Sequence, residues 1–278
     1  MIYLILFLLG LAVGSFLNVV VYREVNEIEK EIESKKNWPA RIKSWLPAWV
    51  WGRSTCDHCH QQLAWYDNIP LLSYVLLGGK CRVCHKPITL QYPLVELLTG
   101  LEFVWLYWLL SKFTFFGRVE GFYSLSLLGY WLVIFSVSLV ITIIDLRTQI
   151  IPDAVLLPAI GMALVRLFFT HQWQFLISAL VVGLFFLSLY VVTKGKGIGL
   201  GDVKLGFLIG LVLGWWQRVL VAIFLAFLTG AMVGVIVVIL KKKTLKSTIP
   251  FGPFLLLGMW LAKLWGDLIW GWYWGMIR

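Results

Sequence analysis

The segment FYSLSLLGYWLVIFSVSLVITIID, residues 122–145, decides the class of fold. It carries no charged side chain until its last residue, Asp145. An apolar segment of this length is what an α-helix needs to cross the hydrocarbon core of a bilayer, which is about 30 Å thick. The segment therefore predicts a transmembrane helix with a carboxylate at its end.

Long apolar segments with few charges occur throughout the chain. Of its 278 residues, 60% are hydrophobic and only 14% are charged, whereas a soluble domain carries about a quarter charged residues. The sequence predicts an all-α polytopic membrane protein with about eight transmembrane helices. The apolar runs lie at Ile2–Val21, Pro93–Leu110, Phe122–Ile144, Ala154–Phe169, Phe175–Thr193, Leu205–Trp215, Val219–Leu240 and Phe254–Trp272.

One long polar stretch interrupts the apolar runs and suggests the domain organisation. Residues 23–92 follow the first run and are long enough to fold outside the bilayer. We expect a first transmembrane helix at 1–22, a small domain at 23–92 and a transmembrane core at 93–278.

The basic residues indicate the orientation. The net charge of +10 could suggest a nucleic-acid partner, but the charge is not spread over one polar surface. Eighteen of the 24 lysines and arginines fall in alternate connections between the predicted helices. Loops rich in Lys and Arg stay in the cytoplasm, so this side, including residues 23–92, should be cytoplasmic. We expect contacts with anionic lipid headgroups and no nucleic acid.

Four cysteines form a separate motif within the polar stretch. Cys56 and Cys59 make one CxxC pair, and Cys81 and Cys84 make a second pair after 21 intervening residues. Two CxxC pairs at this spacing are typical of a zinc site with four thiolate ligands. A redox pair and disulfides remain alternatives, although a reducing cytoplasm disfavours disulfides. Because four thiolates close the coordination shell, the zinc should be structural.

Two aspartates at predicted helix ends are candidates for chemistry. Asp145 ends one apolar run, and Asp202 precedes another, after glycines at alternate positions in residues 195–201. Both fall at the cytoplasmic ends of their helices, so they could meet at one depth. Two adjacent carboxylates share a proton and can activate water for peptide hydrolysis. A lone aspartate at a helix end is more often a cap, and Asp153 is expected to be one.

Six motifs together resemble the type IV prepilin peptidases, which are membrane aspartyl proteases of the GxGD type. They cover the chain from about residue 10 to 258. The two CxxC pairs are one motif, and the others are GSFLNVVVYR (14–23), YPLVE (92–96), DLRTQIIPD (145–153), GLGDVK (199–204) and PFGPF (250–254).

The resemblance implies a two-step enzyme of the bacterial inner membrane. Such enzymes cleave the basic leader of type IV prepilins or pseudopilins after a glycine and then methylate the new N-terminal amine with S-adenosylmethionine. By motif, Asp145 and Asp202 are the expected catalytic pair. The expected zinc ligands are Cys56, Cys59, Cys81 and Cys84, and the residues tied to the methyl donor are Gly79, Lys80 and Glu96.

Two alternatives stay open on the sequence alone. One is a proton-coupled transporter with a regulatory zinc domain, although transporters usually place their acids near the bilayer midplane. The other is a protease without methyltransferase activity, because no cofactor-binding loop is recognisable in the sequence.

Overall fold

A computed structural model describes residues 1–34, 54–112, 122–240 and 249–277. Several of the basic residues that indicated the orientation, among them Lys241–Lys243, fall outside these ranges. Within them the chain is helical, with two isolated β-bridges and no strand. The helices are α1 Ile2–Ser34, α2 Leu72–Leu76, α3 Gln91–Lys112, α4 Phe122–Thr148, α5 Asp153–Thr170, α6 Gln174–Thr193, α7 Leu200–Leu213, α8 Trp216–Ile239 and α9 Gly252–Ile277.

Seven of the eight predicted membrane helices are present among the described residues. In the described part of the chain, seven helices are long and apolar enough to span a bilayer, namely α1, α3, α4, α5, α6, α8 and α9. The eighth predicted run corresponds to α7, whose 14 residues extend about 21 Å. This length is short of the hydrocarbon thickness, so α7 does not span by itself.

Helix α1 is longer than the apolar run that predicted it. The run ends at Val21, but the helix continues through charged residues to Ser34. Hydropathy marks where lipid contact ends, and straight-chain residues such as Glu and Lys continue a helix in water without penalty.

The chain divides into two compact units, Met1–Ser136 and Val137–Arg278. In the first unit α1 packs on α3 with their backbones in close contact. A Cβ atom at Gly10 would lie 2.7 Å from the Thr99 carbonyl oxygen, and one at Gly14 would lie 2.7 Å from Glu96 Cα. Glycine on α1 therefore brings its polar side chains against the start of α3.

The second unit is built from the end of α4 and helices α5–α9. Its tightest helix pairs are α6 with α7 and α8 with α9. Gly210 faces the backbone of Ala179 in the first pair, and Gly258 faces the backbone of Ala222 in the second. Small residues allow helices to pack closely in a membrane, where the hydrophobic effect does not drive helix association.

Candidate active site and metal centre

Asp145 lies in the last turn of α4 and is held by the start of another helix. Its side chain is buried, at 4% exposure. The backbone N–H of Gly252, the first residue of α9, donates a hydrogen bond of 3.0 Å to Asp145 Oδ2. The N-terminus of a helix favours a nearby negative charge. Thus α9 provides the binding partner for a carboxylate that belongs to α4.

Asp202 is held in a similar way at the start of α7. It lies in the first turn of that helix and is half-buried. The backbone N–H of Gly199, the N-cap residue, donates a hydrogen bond of 3.0 Å to Asp202 Oδ2. Each aspartate thus has one carboxylate oxygen fixed by a backbone amide.

The structure brings the two aspartates together. Their carboxylates are close enough to interact electrostatically. Ile151, in the connection between α4 and α5, packs against Gly201, which precedes Asp202, and against Gly252, which binds Asp145. Its Cδ1 lies 3.4 Å from the Cβ position of each glycine. The end of α4 and the starts of α7 and α9 therefore converge on one side chain. Two crossings, α5 and α6, separate the aspartates, so both lie at the same end of the second unit.

Asp153 has a different role from the one expected. Pro152 is the N-cap of α5, and Asp153 is the first helical residue. The Lys204 ammonium donates to both Asp153 carboxylate oxygens, at 2.7 and 2.8 Å. This ion pair joins the starts of α5 and α7 beside the two aspartates.

Two carboxylates in one partly buried site can do acid–base chemistry that a single one cannot. Two carboxylates at short range cannot both ionise easily, so a pair of this kind can share one proton. The ionised member can accept a proton from water, and the protonated member can donate to a carbonyl oxygen. Attack of water on a carbonyl group is the reaction that this arrangement can perform.

The four cysteines form a second cluster, in the first unit. Their sulfur atoms all lie within 4.8 Å of one another, and Cys56 Sγ and Cys84 Sγ are 3.9 Å apart. A tetrahedral metal with M–S bonds of about 2.3 Å places its sulfurs about 3.8 Å apart. A disulfide needs about 2.05 Å, and all four thiols are free. The cluster fits a metal ion bound by four sulfurs.

The two CxxC pairs have the same backbone conformation. In each, the residue after the second cysteine, His60 or His85, has a φ of 56° and donates its backbone N–H to the carbonyl of the first cysteine. The backbone N–H groups of Cys84 and Val83 lower the pKa of the Cys81 thiol to about 7. At Cys81 the backbone thus favours the thiolate form, which is the form that binds metals.

The chain resembles known proteins along nearly its whole length. The bacterial peptidase A24 N-terminal domain family matches residues 8–110, and the type IV leader peptidase family matches residues 132–235. A prepilin leader peptidase/N-methyltransferase of Aeromonas hydrophila is 35% identical over 97% of this chain and 92% of its own length. Proteins with the same name match from Pseudomonas aeruginosa, at 36% identity over 94% of this chain and 90% of theirs, and from Legionella pneumophila, at 33% over 98% and 94%.

The chain belongs to the type IV leader peptidase family. With seven helices of spanning character in its described part, it is a multi-pass membrane protein. No solved structure matches the chain significantly.

The three residues that the resemblance ties to a methyl donor lie in different surroundings. Glu96 is buried on α3, where Oε2 accepts a hydrogen bond of 2.8 Å from the Leu71 backbone N–H. Glu96 lines a cavity of the first unit, whereas Gly79 and Lys80 are absent from its wall within the described residues. Gly79 instead allows close packing of Tyr74, since a Cβ atom there would lie 2.9 Å from the Tyr74 hydroxyl oxygen.

Sequence reasoning missed two buried polar groups that the structure shows. The Gly252 amide was visible only as part of a motif, because a backbone donor leaves no side-chain signal. Asn18 lies within the first apolar run, where a single amide is inconspicuous, yet it is 3% exposed and donates to the Tyr92 carbonyl at 2.9 Å. A polar side chain inside a membrane helix was the signal that could have identified it.

Proposed function

We propose that this chain is a prepilin leader peptidase and N-methyltransferase. It removes the basic leader of type IV pilin-like precursors after a glycine, and then methylates the exposed N-terminal amine. The observation that carries the proposal is the meeting of Asp145 and Asp202, each fixed by a backbone amide. The names of the relatives, which cover nearly the whole chain, support both activities.

In the peptidase step the two aspartates act as one acid–base unit. The ionised carboxylate takes a proton from water, which attacks the scissile carbonyl, while the other carboxyl group donates its proton to the carbonyl oxygen. A second proton transfer frees the amine of the mature chain. The Gly252 and Gly199 amides engage Oδ2 of Asp145 and Asp202, and we assign the Oδ1 atoms to water and substrate.

The position of the pair suits a substrate that is itself a membrane helix. The precursor keeps its apolar helix in the bilayer while the cleavage point reaches water at the surface. A pair formed by Asp145 at the end of α4 and Asp202 at the start of α7 meets both requirements. A glycine before the cleavage point allows the extended backbone that attack by water needs. From the distribution of basic residues, we place this surface on the cytoplasmic side of the bacterial inner membrane.

The cysteine cluster is assigned to zinc. Cys56, Cys59, Cys81 and Cys84 would hold the ion, and four thiolates leave no open position for substrate. Its contribution is to fold residues 54–92 into one shape. The methyl donor is S-adenosylmethionine, which supplies an electrophilic methyl group. Of the three residues that the resemblance ties to this donor, Glu96 is a buried acid.

A mass measurement tests the proposal. Purified protein is incubated with a prepilin, with and without S-adenosylmethionine, and the product is measured by intact mass spectrometry. Loss of the leader in both samples, with one added methyl group only when the donor is present, is expected. Cleavage with no increase in product mass when the donor is present would favour a protease without methyltransferase activity. The absence of any cleavage, together with proton-driven solute uptake in vesicles, would favour the transporter.

A further inference from the structure

Three basic residues of the second unit lie in the half opposite to the two aspartates. They are Arg166 on α5, Arg218 on α8 and Lys263 on α9. Only six of the 24 lysines and arginines fall outside the connections that indicated the orientation, and these three are among them. Because basic residues are depleted on that side of a membrane, their presence there calls for a specific reason.

The three cations gather around one carboxylate. Arg218 Nε donates to Asp267 Oδ1 at 2.9 Å, and Arg218 Nη2 donates to Oδ2. Lys263 interacts electrostatically with this pair and with Arg166. A Cβ atom at Gly266 would lie 3.1 Å from Arg218 Cγ, so the glycine allows the start of α8 to lie directly against α9. We call the three cations and Asp267 the charged cluster.

The charged cluster carries an excess of two positive charges. Asp267 is the only acidic residue between positions 203 and 278. The other acids of the second unit, Asp145, Asp153 and Asp202, lie at the opposite end. Within this unit, three cations therefore surround a single carboxylate. An anion that joined the cluster would offset the repulsion between the cations.

The charged cluster lies within the depth of the bilayer, near the end of the short helix α7. This helix starts at Asp202 and ends about 21 Å away. Lys263 and Asp267 lie about 16 and 22 Å along α9 from Gly252, and the hydrocarbon core is about 30 Å thick. Charges at such a depth face the interior of a helix bundle or a polar group that reaches them.

The charged cluster is open to the surrounding lipid. None of its four residues is fully buried, and the Asp267 side chain is 49% exposed. Exposed apolar side chains flank it on the same turns of α8 and α9, namely Trp216, Leu220 and Leu268. The apolar groups suit acyl chains, and the cations suit a phosphate, which accepts hydrogen bonds from ammonium and guanidinium groups.

We propose that the charged cluster binds the phosphate group of an anionic phospholipid from the leaflet opposite to the aspartates. Lys263 and Arg166 contact the phosphate, whereas Asp267 competes with it for Arg218. The bound headgroup fills the space beyond the end of α7 and lowers the repulsion among the cations. This inference is independent of the proposed function.

Substitutions of opposite sign test the proposal. Lys263→Met and Arg166→Met each remove one positive charge and keep a long, flexible side chain. Each should weaken lipid binding about fivefold, the change that one basic residue near a membrane surface produces. Asp267→Asn removes the competing carboxylate and should strengthen binding. Lys196→Gln is the matched control, because it removes an exposed positive charge at the aspartate end and should leave binding unchanged.

The experiment is native mass spectrometry of the full-length protein in detergent, titrated with phosphatidylglycerol, phosphatidylethanolamine or inorganic phosphate. The wild type should bind one phosphatidylglycerol more tightly than one phosphatidylethanolamine, because the ammonium group of the latter is repelled by the cluster. An excess of inorganic phosphate should leave the lipid bound, because free phosphate has no acyl chains to place against the apolar side chains. Circular dichroism checks that each variant is folded.

Several results would overturn the proposal. These are equal binding of the two lipids by the wild type, equal weakening in Lys263→Met and Lys196→Gln, and weaker binding in Asp267→Asn. Release of the lipid by inorganic phosphate would identify a site for free phosphate instead. If neither methionine variant folds, crosslinking of a phosphatidylglycerol with a photoreactive headgroup to the wild type decides. Labelling concentrated in residues 162–170, 214–222 or 259–271 supports the cluster, and labelling concentrated elsewhere overturns it.

Discussion

Replacing Gly252 by alanine should slow leader cleavage by moving one of the two aspartates. A Cβ atom at this position would lie 2.7 Å from Asp145 Oδ2 and 3.3 Å from Cγ. The Asp145 carboxylate and the start of α9 must therefore separate by several tenths of an ångström. This movement breaks the 3.0 Å hydrogen bond from the Gly252 amide. A hydrogen bond to a charged group contributes about 1.5–3 kcal/mol.

If that bond positions Asp145 in the transition state, its loss lowers kcat/KM about 10- to 150-fold, since 1.36 kcal/mol is a factor of ten. The assay is cleavage of a prepilin in detergent, followed by intact mass over time. Gly161→Ala is the control, because a Cβ atom on this α5 glycine would meet no described residue within 4 Å. It should cleave at the wild-type rate. Wild-type cleavage by Gly252→Ala would refute the assignment of this amide to Asp145.

Two further predictions concern the surroundings of the sites. Asp153→Asn should retain cleavage within about fivefold of the wild type, because its pair with Lys204 is exposed and such pairs contribute about 0–1 kcal/mol; loss of all cleavage would make Asp153 part of the catalytic unit. Cys81→Ser should lower bound zinc, measured by plasma mass spectrometry, from about one ion per chain to almost none. Methylation should be lost with cleavage partly retained, and a full complement of zinc would contradict the four-sulfur assignment.

The helices were predictable because lipid leaves a strong mark on the sequence. Long apolar runs identified the membrane helices of the described residues, and the main differences were the later end of α1, the later end of α9 and the short span of α7. The common depth of Asp145 and Asp202 followed from counting two crossings between them, since that places both at one membrane surface. Hydropathy says nothing about the lateral distance between two helix ends. The contact of Gly201 and Gly252 with Ile151 was therefore visible only in the structure.

The contacts of Glu96 and Asn18 were less accessible to sequence reasoning. Glu96 was expected from a motif, but its partner, the Leu71 amide, depends on a backbone turn of the cysteine-bearing segment. Asn18 reaches Tyr92 only because glycine at position 14 lets α1 approach the backbone of α3. Such long-range contacts arise from packing and have no local pattern.

The most direct test of the central claim is the cleavage rate of Asp145→Asn, Asp202→Asn and the double variant, with bound zinc as the check that each protein is folded. Residues that act as one unit are not additive. We expect each single substitution to reduce cleavage to the background rate and the double variant to be no slower. Appreciable cleavage by either single variant would show that the two carboxylates do not work as a pair.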